Sequence, residues 1–114
     1  MAVRQFDLIQ GTLDLLVLKS LSAGPSHGYA IAMRIHQLSD DALRIEEGSL
    51  YPALYRMEEQ GLIDSEWRVT ENNRKAKFYK LTRKGRTAAQ AELDSWRRLS
   101  KAVTRVLRAL EQGA

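Results

Sequence analysis

The side chains best equipped for chemistry in this 114-residue chain lie in one stretch, Glu46 to Gly61, which reads EEGSLYPALYRMEEQG. Leu50, Ala53, Leu54 and Met57 recur at about 100° per residue, which predicts a helix with those four on its core side. Ser49 is expected as N-cap, Pro52 falls in the first turn where its missing N–H costs nothing, and Gly61 suits the C-terminal cap. Pro52, Tyr55, Arg56 and Glu59 then share the far side, with Tyr51 at its edge. A guanidinium, two phenols and a hydroxyl displayed near a helix start can meet phosphate oxygens or base edges, and ring or proline surface can touch thymine methyls. The plainer reading is that Tyr51 packs on the hairpin and Arg56 bridges to Glu59 or Gln60.

A second group follows. From Arg68 to Arg86 the chain carries Arg68, Arg74, Lys75, Lys77, Lys80, Arg83, Lys84 and Arg86 against Glu71 alone, within a net charge of +4. From Asp40 to Glu66 the acids dominate, leaving Arg44 and Arg56 as the only cations. A concentrated basic segment beside an acidic one suggests a polyanion meeting one defined surface; composition alone fits a solvated charged face as well. Asn72, Asn73, Arg74, Lys75 and Lys77 are placed to run along such a polyanion.

Other chemistries find little support. There is no cysteine, which excludes disulfides and thiolate metal sites and agrees with a reducing cytoplasm. His27 and His36 stand nine residues apart on one predicted helix, on opposite faces, so they cannot share a metal. No glycine-rich phosphate loop or nucleophile motif appears. The N-terminus has no leader-like apolar run, and Leu15 to Leu18 is far too short to span a bilayer. The expectation is a cytoplasmic protein without enzyme activity, cofactor or metal.

The elements that must position these groups follow from periodicity. QGTLDLLVLKSLS is a helix with Leu13, Leu16, Val17 and Leu21 on one side and Leu15 and Leu18 on the other, so a second subunit is expected on its far face. Ser26 should cap HGYAIAMRIHQLS, whose core stripe is Ile31, Ile35 and Leu38. Asp40 and Asp41 turn the chain, and LRI can form a very short strand. LIDSEWRV and AKFYKL alternate as strands around the turn TENNRK. Thr82 should cap a long last helix in which Trp96, Leu99, Val103, Val106 and Leu110 form a seam for another helix. The seam is too short to stand alone.

Three helices, a basic hairpin and a seam helix give the order of a winged helix-turn-helix: mainly α, with a small β-hairpin. Residues 1–82 form the DNA-binding domain and 83–114 the C-terminal dimerisation helix in this reading. The second helix of the pair would put its N-terminal residues into the major groove. A winged-helix module that binds only protein is the alternative, and it has no need of so basic a hairpin.

GTLDLLVLKSL, HGYAIAMRI, EEGSLYPALYRMEEQGLI, Trp67, AKFYKLT and KGR, in that order, resemble the PadR family of transcriptional regulators over about residues 9 to 99. The resemblance implies a homodimeric repressor that dimerises through its C-terminal helix. The short last helix looks like the family's small subclass, and ENNRKAKFYKLTRKGR resembles an acidobacterial-type branch. Phe78 departs from the usual tyrosine and Met57 from the usual leucine. With Tyr29 of HGY, the candidate DNA-binding set is Tyr29, Ser49, Tyr51, Pro52, Tyr55, Arg56, Asn72, Asn73, Arg74, Lys75 and Lys77. The candidate dimer interface is Leu15, Leu18, Trp96, Leu99, Val103, Val106 and Leu110. The expected partners are a double-stranded DNA operator and a second copy of the chain, with no membrane. A small aromatic effector stacking on Trp96 is a further partner considered, plain packing of Trp96 being its alternative.

Overall fold

The computed structural model describes residues 6–7 and 10–113; the N-terminal residues 1–5, read above for a leader, lie outside them. In chain order the elements are β1 (Phe6–Asp7), α1 (Gln10–Leu21), β2 (Ser26–His27), α2 (Gly28–Leu38), β3 (Leu43–Arg44), α3 (Glu47–Glu59), β4 (Ile63–Val69), β5 (Lys75–Leu81) and α4 (Arg83–Glu111). The hairpin β4–β5 is antiparallel, and β2 adds to the free side of β5, giving the sheet order β2-β5-β4. A two-residue parallel pair joins β1 to β3.

Helix α1 packs against α2, α3, α4 and β5. This overturns the expectation that one of its apolar sides waits for another subunit. Leu15 is 6% and Leu18 1% exposed, because the first turns of α4 cover the side that α2 and α3 leave open. Leu13, Val17, Leu18 and Leu21 join Ile31, Ile35, Leu50, Ala53, Leu54, Met57, Ile63, Tyr79, Leu81 and Ala89 in one core. Leu38, expected in that core, is exposed at the end of α2.

Three caps set the helix positions. His27 rather than Ser26 caps α2, its Nδ1 accepting the Ala30 N–H at 3.2 Å, because β2 runs through both Ser26 and His27 and the helix starts only at Gly28. Helix α3 starts earlier than Ser49: the N–H groups of Ser49 and Leu50 both donate to the Glu46 carbonyl, and Glu46 caps without a side-chain bond. Pro52 therefore sits in the second turn, where Gly48 O loses its usual i+4 donor. Thr82 caps α4 as expected, its Oγ accepting from the Gly85 N–H at 3.0 Å and donating to Gly61 O at 2.6 Å.

Gly61 ends α3 in the left-handed region, φ 75°. Its N–H reaches Glu58 O and that of Leu62 reaches Met57 O, the paired bonds that close a helix C-terminus and turn the chain into β4. At the end of α2 the same paired bonds run from Asp40 N–H to Gln37 O and Asp41 N–H to His36 O, with Asp40 and Asp41 taking positive φ without being glycine. His36 holds that turn, Nε2 lying 3.1 Å from Asp41 Oδ1 and Nδ1 3.3 Å from Leu43 O. Gly85 permits a close backbone approach: a Cβ there would lie 1.9 Å from Leu62 O, so α4 leaves the sheet only because that side chain is missing.

Candidate nucleic-acid interface

Helix α3 buries Leu50, Ala53, Leu54 and Met57 at 0–3% exposure, as their spacing predicts. Its other residues divide into two stripes. Tyr51, Tyr55 and Glu58, spaced four and three apart, lie on the side of the hairpin, where Glu58 accepts from Ser65 Oγ at 2.6 Å and lies 3.5 Å from Lys77 Nζ. Ser49, Pro52 and Arg56 line a cleft whose opposite wall is Gln10 and Leu13 of α1.

Arg56 is not free to read a base or a phosphate. Its two terminal nitrogens donate to the two Asp14 carboxylate oxygens, each at 2.8 Å. Donation to the Asp14 carboxylate is also the main reason the guanidinium pKa lies above its usual value, burial opposing and charge attraction adding to it. A two-point Arg–carboxylate fork fixes orientation as well as distance, so Arg56 pins α3 to α1. The cause lies in its offset from the buried stripe: at about 100° per residue Arg56 falls on the flank that faces α1, and Tyr51 on the other.

Tyr55 and Tyr29 are exposed, while Tyr51 is about half so. The Tyr51 ring lies against Gly28, where a Cβ would come within 2.9 Å of Cε1. The glycine that opens α2 thus makes the slot that holds Tyr51, and its outer half stays open to solvent. Tyr51 thus packs on the start of α2 rather than on the hairpin.

The hairpin turn presents Asn72, Asn73, Arg74 and Lys75 to solvent. Asn73 has φ 60°, a conformation asparagine tolerates, and its N–H donates to Thr70 O while the Thr70 N–H donates to Arg74 O. Asn73 thus shapes the turn. Lys77 is drawn towards Glu58 and the Tyr79 ring, so Lys75 and Arg74 are the less encumbered cations. Phe78 lies on the other sheet face, edge-on to His27 at 5.2 Å and under the Arg68 guanidinium, where a phenol hydroxyl has no part in the α3 surface.

The sequence profile of the transcriptional regulator PadR-like family matches residues 17–91. The chain belongs to this family. It is 31% identical over 101 residues to a transcriptional regulator of Mycobacterium tuberculosis, 89% of each chain being covered. Among solved structures, a PadR family regulator from Eggerthella lenta is 35% identical with a TM-score of 0.71, covering 86% of this chain and 83% of that one. A transcriptional regulator from Clostridium thermocellum aligns with a TM-score of 0.77 at 28% identity, covering 84% and 90%. The PadR-like fold here is a DNA-binding winged helix, with α2 and α3 as the helix pair and β4–β5 as the wing. Its likeness is to transcription regulators, a class generally without enzyme activity. Among the described residues no helix is long and apolar enough to cross a membrane, and no three His, Asp or Glu side chains gather as a metal site.

Proposed function

We propose that this PadR-like regulator is a homodimeric repressor that grips operator DNA with α3 and the wing and dimerises through α4. The observation that carries the reading is the free face of α3, where Tyr55 is 67% exposed on a helix that meets the basic hairpin at Glu58 and Lys77. Tyr29, Ser49, Tyr51, Pro52 and Tyr55 would face the groove, and Asn72, Asn73, Arg74, Lys75 and, more weakly, Lys77 the phosphates. In α4 the exposed Trp96, Leu99, Val103, Val106 and Leu110 supply the seam. Residues 83–114 then act as the dimerisation unit beside a DNA-binding unit of residues 1–82, in the manner of the family's short-helix subclass and its acidobacterial-type branch, in the cytoplasm. Trp96 at the head of the seam offers a ring face on which a planar aromatic effector would stack.

Binding of the purified dimer to DNA upstream of its own gene tests this. A roughly palindromic footprint is expected, with half-sites about one helical turn or a multiple apart and a steep salt dependence. Lys75→Ala should flatten the salt slope by about one, and Lys77→Ala by less, because Glu58 already neutralises part of its charge. Planar phenolics should release the DNA and change Trp96 emission. Salt-insensitive binding, or none, would overturn the reading.

A further inference from the structure

The hairpin carries two large apolar side chains that the core does not use. In the β4–β5 register Trp67 stands opposite Lys77, and Val69 opposite Lys75; residues opposite each other in an antiparallel pair share a face. That face starts in the core with Ile63 and Leu81, passes Ser65 and Tyr79, and ends in solvent with Trp67 68% and Val69 62% exposed. Arg68, between them in sequence, points the other way, bonded to Glu66 and lying over Phe78.

The same face is the one that meets α3, since Ser65 and Lys77 both reach Glu58. Glu58 ends the stripe begun by Tyr51 and Tyr55, so the exposed tyrosines and Trp67 belong to surfaces joined at one carboxylate. Lysines flank the apolar pair, and the turn beyond adds Arg74. A second copy of the chain is a poor occupant, because a two-fold contact here would bring Lys75 and Lys77 against their own equivalents. Duplex DNA fits better: its deoxyribose walls are apolar and edged on both sides by phosphates.

We propose that Trp67 and Val69 are an apolar contact surface of the wing that rests on the deoxyribose wall of duplex DNA, while Lys75 and Arg74 take the flanking phosphates. This rests on the reading of the chain as a duplex-binding regulator and adds to it a contact that is independent of salt. A cation on a phosphate releases counterions and sets the salt slope, whereas an apolar contact does neither.

Affinity for operator duplex across a salt series separates the two. Trp67→Ala should bind about tenfold more weakly at every salt concentration, from lost apolar burial, with an unaltered slope. Trp67→Phe should keep most of the affinity, and both variants should match the parent in circular dichroism and dimer mass. The chain has two tryptophans, so their indole N–H resonances give a second readout; the one missing in Trp67→Phe should shift when DNA is added to the parent. Parent affinity in a folded Trp67→Ala, a changed slope, a fall in dimer mass, or a stationary Trp67 resonance at saturation would each overturn the proposal while leaving DNA binding in place. A parent that binds no duplex would overturn both.

Discussion

Helices α3 and α4 are both amphipathic, and they use their apolar sides in opposite ways. In α3 the four stripe residues are sealed in the core, and what faces outward is phenol, proline and hydroxyl, with the carboxylates of Glu47 and Glu59 at the two ends. In α4 burial ends with Ala89, and Trp96, Leu99, Val103, Val106, Leu107 and Leu110 are all 47–63% exposed. The helix spans 29 residues, about 43 Å at 1.5 Å each, and only its first turns lie against α1. Periodicity reports that a helix has an apolar side. Which partner covers that side depends on how far the rest of the chain reaches, and the chemistry of the uncovered face then points to the partner: hydrogen-bonding groups on α3 suit DNA, aliphatic ones on α4 suit another helix.

The comparison breaks most visibly at the α4 seam. Val103→Glu with Val106→Glu buries carboxylates in any dimer seam at several kcal/mol each, so light scattering should give the 13.0 kDa single chain with the helical signal of the head retained. Dimer mass unchanged would mean the seam is not where the copies meet. A truncation of the same type gives opposite results in the two helices. Leu54→Ala should cost about 2–5 kcal/mol in urea unfolding, whereas Leu107→Ala should leave the chain's own fold intact and act only through concentration-dependent dimer stability. Equal losses would erase the distinction between the two helices.

Arg56 sharpens the picture of α3. Its removal leaves the mostly buried Asp14 without its fork, so Arg56→Ala should cost about 1–3 kcal/mol of stability. Its effect on DNA should be a general weakening rather than relaxed discrimination at one base pair. Relaxed choice at one position would restore Arg56 as a reader.

Much of this was legible in the sequence. The core stripe of α3, the hairpin, the Thr82 cap and the apolar side of α4 all follow from local periodicity and turn chemistry, and local rules act within a few residues. The Asp14–Arg56 fork joins positions 42 residues apart, and Leu15 and Leu18 are covered by a helix that starts more than sixty positions later; no local pattern encodes either. The two-residue strand β2 is too short to show alternation, and by holding Ser26 and His27 extended it moves the cap one residue on, to His27. Ser49 failed as a cap because Glu46, without a capping side chain, stands where the backbone leaves the extended region. Trp67 carried a signal that was not used: an aromatic at the exposed end of an alternating strand.

The smallest expected effect lies between the hairpin and α3. Burial, with Glu58 and Tyr51 adding, raises the Tyr79 phenol above its usual value of 10. The folded state therefore holds that proton more tightly than the unfolded chain does. Its contribution is complete below about pH 10 and is lost as pH rises through the raised value. Urea midpoints measured upward from about pH 9 should fall less in Tyr79→Phe than in the parent; parallel curves would remove Tyr79 as the cause.

The central claim is that the outward stripe of α3 reads DNA while contributing nothing to the core. Tyr55→Ala tests it most directly, by competition between operator and random duplex for the same folded protein. The account predicts an unchanged unfolding midpoint and dimer mass, with operator preference reduced about tenfold. Operator preference equal to the parent's would contradict it.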